Sequence, residues 1–279
     1  MKIFDCFTFY NEFELLELRL QELYDHVDFF VITEANLTFQ NQPKPLYLTE
    51  NFDKFAKWQD KIILISVTDM PTGDDPWARE EHQRNAIMRG LDAADAQDMV
   101  IISDIDEIPR PETVDKIRLN DPAYDFYALY MPLFQFRINY MVSHPTFMEC
   151  WGQAVRRCFL DELSPEFIRK QRFYCHTWPN ATVVSHAGWH FSWWAANDAS
   201  IKEKLQSFSH AECNTPENLS KVNLERTLQQ GTSWNPDEST RNTSVALDDY
   251  FPKTILENLG TYDHAIMQGN FSSVTEIIN

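Results

Sequence analysis

The sequence predicts an α/β protein built on a mainly parallel central sheet, and three observations carry that reading. Short apolar runs recur at residues 2–9, 27–33, 61–67 and 98–103. Segments with helical spacing separate them, with Phe13, Leu16, Leu20 and Leu23 on one stripe and Ile87, Leu91 and Ala94 on another. The fourth run contains Val100, Ile101 and Ile102 in succession, the pattern of a strand buried on both faces. Strands that alternate with helices wind into a parallel sheet through right-handed crossovers.

Residues 2–9 form the first strand. Asn11 is placed to cap the helix that follows, with Glu14 three residues on as reciprocal partner. The second strand, 27–33, ends at Glu34, and the third spans 61–67. A helix over 79–94 leads into the fourth strand, 98–103. Alternating aromatic residues over 126–141 predict strands of a mixed sheet, and 178–194 is dense in His and Trp. Helices are expected over 199–211, 219–230 and 252–259. No Gly/Ser-rich linker or internal repeat divides the chain, so residues 1–279 read as one domain. Its front is 1–110 and its back 111–279.

Composition excludes several classes. The 279 residues carry 24 basic and 42 acidic side chains, a formal net charge of −18. Such a chain repels nucleic acid and anionic membranes, whose phosphates need basic patches. A diphosphate ligand would require a metal ion or a few well-placed basic groups. Asp5 interrupts the N-terminal apolar residues, so no signal peptide is expected, and no apolar run is long enough for a transmembrane segment. The five cysteines are widely spaced without a C-x-x-C pair, which argues against a zinc ribbon or disulfide framework. Free thiols and a cytoplasmic location are the expectation.

The chemistry concentrates where the fourth strand ends. Asp104, Asp106 and Glu107 follow its apolar run, at the strand edge where open α/β sheets place ligands. In an extended chain Asp104 and Asp106 point to one side, suited to a hard divalent cation that could in turn hold a diphosphate. Glu107 points to the other side if the strand continues. An Asp-x-Asp also arises by chance in an Asp-rich chain, and carboxylates are ordinary turn formers. Two more strand ends carry polar groups, Asn11 and Glu34, and Glu34 suits a ribose or base. Arg84, on the helix before the fourth strand, suits bidentate pairing with a phosphate, and an exposed helical Arg beside Glu80 and Glu81 is an equal alternative. His186 and His190 have i,i+4 spacing, but Gly188 between them weakens a helical zinc site. His190 alone reads as a packed core histidine or as a third metal ligand. Most aromatics around it belong to the core, and a minority suit a sugar face.

Five ordered blocks connect these residues to a known family. They are residues 7–20 (FTFYNEFELLELRL), 27–36 (VDFFVITEAN), 101–109 (IISDIDEIP), 187–193 (AGWHFSW) and 250–258 (YFPKTILEN). Together they resemble the family 17 glycosyltransferases across nearly the whole chain; the stretch 126–173 matches least. The resemblance implies a GT-A-like fold and a UDP-sugar donor, with GlcNAc as the transferred sugar. It also implies a glycan or glycolipid acceptor and a Mn2+ or Mg2+ ion served by Asp104 and Asp106. His190 lies in a matching block, which favours the ligand role. The family analogy further implies inversion at the anomeric carbon, with Arg84 and Lys204 as electrostatic helpers. Glu107, Glu149 and Asp198 are the candidate bases.

Other classes fit less well. A metal-dependent phosphohydrolase would use the same cluster, but Ile108 stands where its best-known variant has Thr. A carbohydrate-binding protein without catalysis rests on aromatic content alone. A glycosidase needs its carboxylates about 5 Å or more apart across a sugar, which one strand end does not provide.

Overall fold

The computed structural model describes residues 1–120, 123–144, 148–235 and 238–278. The first half follows the expected alternation. Strand β1 (Ile3–Phe9) leads to helix α1 (Phe13–Leu23), then β2 (Phe29–Ala35) and the single helical turn α2 (Tyr47–Glu50). Next come β3 (Ile62–Val67), α3 (Pro76–Asn85) and β4 (Met99–Asp104). A two-residue turn separates β4 from the short β5 (Glu107–Pro109), after which α4 (Pro111–Leu119) begins. The second half contains β6 (Phe126–Gln135), β7 (Tyr140–His144), β8 (Met148–Arg156), α5 (Pro165–Lys170), β9 (Ala181–Val184) and β10 (Gly188–Ser192). It ends with α6 (Asp198–Ser207), α7 (Pro216–Lys221), α8 (Leu224–Gln230), β11 (Arg241–Ser244), α9 (Lys253–Glu257), α10 (Leu259–Tyr262) and α11 (Val274–Ile278).

One path through the sheet reads β11-β7-β6-β8-β4-β1-β2-β3. The pairs β1–β2, β1–β4 and β2–β3 are parallel, and β8 joins β4 and β6 antiparallel. A parallel front continued by a mixed second half is the α/β arrangement expected. The aromatic stretch 126–141 is two strands, β6 and the start of β7, as its alternation predicted. Successive residues of the central strands serve two apolar layers. Ile3, Phe7, Met99 and Ile101 belong to one cluster, whereas Phe4, Cys6, Val100 and Ile102 belong to the other. That period-two split explains why β4 is apolar at every position before Ser103.

Several boundaries differ from expectation for local reasons. Asn11 does not cap α1. Glu12 occupies that position, and its carboxylate accepts from the backbone N–H groups of Tyr10 and Asn11. Helix α3 starts before Arg79, because the Asp75 side chain accepts from the Trp77 N–H and Pro76 fills the first turn. It gives way to a 3-10 turn at Ala86–Gly90. Helix α6 ends at Ser207 after a capping box between Asn197 and Ser200. Residues 219–230 divide into α7 and α8, since Asn223 caps a new helix through its bond from the Arg226 N–H. The expected helix 252–259 becomes α9 and α10. Among the described residues, no helix is long and apolar enough to cross a membrane.

Candidate functional site

The turn between β4 and β5 carries the acidic cluster, and it is fixed from below by a buried arginine. Arg19, on α1, is fully buried. It donates Nε and Nη2 to the two oxygens of Asp5 at 2.8 and 2.6 Å, and Nη2 also to Ser103 Oγ at 2.7 Å. Its Nη1 donates to the carbonyls of Asp104, Ile105 and Glu107 at 2.7, 3.3 and 3.2 Å. A rigid five-donor fork thus ties β1, α1 and the turn together. Arg19 lies in the first matching block but has no pattern of its own in sequence, because a helical Arg is ordinarily solvated.

The turn overturns the expectation for Glu107. The chain does not continue as a strand, so the side chain returns to the cluster. Glu107 Oε2 accepts from the Asp104 N–H at 2.7 Å, and Oε1 from Arg169 Nη2 at 2.5 Å. Strand β10 pairs antiparallel with β5 and sets His190 opposite Glu107. Gly188 permits that approach. A Cβ there would lie 2.1 Å from the Ile108 carbonyl oxygen and 2.8 Å from Pro109 Cα. We predict that Gly188→Ala separates β5 from β10 and costs about 3 kcal/mol, an overpacking penalty against backbone. Thermal unfolding measures it, and an unchanged midpoint would contradict the tight pairing.

The two aspartates have different surroundings. Asp104 Oδ1 accepts from Arg84 at 3.0 Å, and Oδ2 from Arg169 at 2.8 Å. Burial pushes its carboxyl up, but Arg169 and Arg84 outweigh that and hold it well below the usual carboxylate range. Among the described residues Asp106 makes only long ion contacts, 3.7 Å from Oδ1 to His190 Nε2 and 3.7 Å from Oδ2 to Lys204 Nζ. Burial again opposes its charge, while His190 and Lys204 bring its pKa below the ordinary value. Burial raises the Glu107 pKa against the pull of Arg169. Ligand atoms of Asp106, Glu107 and His190 lie within 4.8 Å of one another. Two carboxylates and an imidazole suit Mn2+ or Mg2+. Trp151 packs edge-on against the His190 ring, at 4.4 Å between centroids. His190 Nδ1 is buried without a hydrogen-bond partner among the described residues.

The other expected site residues scatter. Arg84 is buried, not exposed. It pairs with Glu80 and Asp104 and makes a short contact to Glu166. Glu34 is inside β2 and fully buried. Its oxygens accept from the Leu48 and Thr49 N–H groups and the Thr49 hydroxyl, so it anchors α2 and does not face the cavity expected to hold a ribose. Asn11 donates to Glu203 at 3.1 Å and lines a second, smaller cavity. Lys204 lines both cavities. Asp198 accepts from the Leu224 N–H, and neither it nor Glu149 lines either cavity. Sequence reasoning missed Arg169 and Glu166 on α5 and Trp151 on β8, all within the stretch that resembles the family least.

The larger cavity, about 660 Å3, opens over the acidic turn. Its walls include Asp104, Asp106, Glu107 and His190, together with Lys44, Arg84, Arg169, Lys170 and Arg172. Phe39, in the loop after β2, and Trp77, in the first turn of α3, line it as well. An acidic cluster flanked by basic groups in a cleft of this size suits an anionic ligand held partly through a cation.

The family pattern for glycosyltransferase family 17 matches residues 1–234. This chain belongs to glycosyltransferase family 17. Over 221 residues the family 17 chain is 26% identical to proteins of rat and human named beta-1,4-mannosyl-glycoprotein 4-beta-N-acetylglucosaminyltransferase. The match covers 69% of this chain and 40% of the length of those relatives. A mannosyltransferase from Pyrobaculum calidifontis, solved with GDP-Man and Mn2+, superposes with a TM-score of 0.42 and 14% identity, over 68% of this family 17 chain and 56% of that one. A glucosyl-3-phosphoglycerate synthase from M. tuberculosis superposes at 0.39 and 13%, over 91% and 92%.

Proposed function

We propose that this family 17 chain transfers a sugar, GlcNAc, from a UDP-sugar to a hydroxyl of a glycan or glycolipid, with inversion, using Mn2+ or Mg2+. The observation that carries this reading is the Asp106–Glu107–His190 cluster on the wall of a cavity that also presents Lys44, Arg84, Arg169, Lys170, Arg172 and Lys204. The relatives' names add the transferred group and a mannosyl acceptor to the proposal.

Asp106, Glu107 and His190 hold the ion, which when bound neutralises charge on the departing diphosphate. Asp106 is the principal ligand because its oxygens are the least committed. Asp104 instead orders Arg84 and Arg169 beside the cluster. The aspartate pair expected from the sequence, Asp104 with Asp106, thus gives way to Asp106 with Glu107. Glu107 also positions the turn through the bonds that its oxygens accept. Lys204, whose Nζ sits 3.7 Å from Asp106, and Lys44 offer ammonium groups to the diphosphate. The nucleoside lies toward Phe39 and Trp77. The acceptor oxygen attacks the anomeric carbon from the side opposite the diphosphate while a base removes its proton.

A nucleotide-sugar screen tests the proposal. With Mn2+, UDP release is expected to be fastest from UDP-GlcNAc and to fall at least about tenfold with a chelator. Phosphate release from simple phosphoesters, with no nucleotide sugar consumed, would overturn it in favour of a phosphohydrolase.

A further inference from the structure

The smaller cavity, about 400 Å3, adjoins the donor cavity and has a more acidic wall, since the donor cavity balances its carboxylates with Lys and Arg side chains. Asp106 and Lys204 line both, so the two spaces meet at the acidic cluster. The smaller one is bordered by Glu12, Glu14 and Glu203, and among the described residues Lys204 is its single Lys or Arg. Such a wall repels a diphosphate and suits a neutral, hydroxyl-rich ligand, whose O–H groups donate to carboxylates. Its size falls within the range of small-ligand sites.

The polar groups are held in place. Glu203 Oε1 accepts from the Tyr10 hydroxyl at 3.2 Å and from Asn11 Nδ2 at 3.1 Å. Glu14 Oε2 accepts from Trp194 Nε1 at 2.7 Å and sits 3.1 Å from His264 Nε2. Two indoles, Trp193 and Trp194, supply apolar surface. Trp193 has φ 57° and Ala195 φ 45°, a left-handed backbone that a bulky residue adopts only under constraint. The constraint puts the Trp193 ring against Phe136, with Lys204 Nζ 4.9 Å from its centroid, beside the junction. An aromatic face with carboxylates around it is the arrangement that recognises the C–H face and the hydroxyls of a pyranose.

We propose that the smaller cavity is the acceptor subsite, taking a neutral pyranose of a glycan and presenting its hydroxyl at the Asp106–Lys204 junction. The proposal rests on the sugar-transfer reading and adds where the acceptor sits and what recognises it.

The full chain, with Mn2+ and UDP present, is titrated with methyl β-D-mannopyranoside and with methyl N-acetyl-β-D-glucosaminide by saturation-transfer NMR, and UDP affinity is measured alongside. At least one glycoside is expected to bind. Trp193→Gly, which keeps the left-handed backbone at ease, is expected to weaken that binding about tenfold. Glu203→Gln, at an exposed position, is expected to weaken it less but measurably. Three results would overturn the proposal: neither glycoside binds while UDP does, both variants bind glycoside as the wild type does, or Trp193→Gly loses UDP affinity by the same factor. If UDP shows no metal-dependent binding, the sugar-transfer reading fails instead, and the glycoside titrations still decide whether this cavity holds a pyranose.

Discussion

Asp106→Asn is expected to lower sugar transfer by about 10³-fold, the scale of losing one main electrostatic contributor to a transition state, with little change in thermal stability. The two parts of that expectation have one origin. Among the described residues Asp106 has only 3.7 Å ion contacts, to His190 and Lys204, so removing its charge breaks no short ion pair there. Asp104→Asn should behave in the opposite sense. It weakens close pairs with Arg84 and Arg169, both buried, and so should lower the unfolding temperature more than Asp106→Asn does. Steady-state transfer assays and thermal melts on both variants check the contrast. Equal loss of stability in the two would contradict the division of roles.

Arg19→Met carries the largest expected effect on stability, about 3–5 kcal/mol, the cost of leaving a buried charge without its partner. At this chain length that lowers the unfolding temperature by about 5–9 °C. Asp5, fully buried, loses both guanidinium bonds, and three carbonyls of the acidic turn lose their donor. The double variant Asp5→Leu with Arg19→Met separates these consequences. Replacing both members of a buried pair by apolar groups is often near neutral, so stability should largely return. Transfer should stay low, because nothing then holds the carbonyls of Asp104, Ile105 and Glu107. Full recovery of activity in the double variant would show that Arg19 serves stability alone.

The parallel half of the sheet was legible because a short run of consecutive apolar residues at 100–102 is the pattern of a strand covered on both faces. The acidic strand end was legible because it follows such a strand. The geometry of the site was not. Whether Glu107 faces Asp106 depends on a two-residue turn, and that turn depends on Arg19, 85 residues before Asp104. The role of Glu34 was hidden for a similar reason: a carboxylate at a strand end serves a ribose or a neighbouring loop equally well until the loop's N–H groups are located. Asn11 illustrates competition between local caps, since Glu12 takes the backbone N–H groups of Tyr10 and Asn11 itself. Arg169 was invisible because α5 has only six residues and its partners, Asp104 and Glu107, lie 65 and 62 residues away in sequence.

The most direct measurement is UDP affinity by calorimetry in Mn2+ and in chelator, for the wild type and for Asp106→Asn. The wild type should bind UDP at least about tenfold more tightly with Mn2+, and Asp106→Asn should remove that difference, as loss of a metal-site residue does. Equal, metal-independent UDP affinity in both proteins would contradict the assignment of the Asp106–Glu107–His190 cluster.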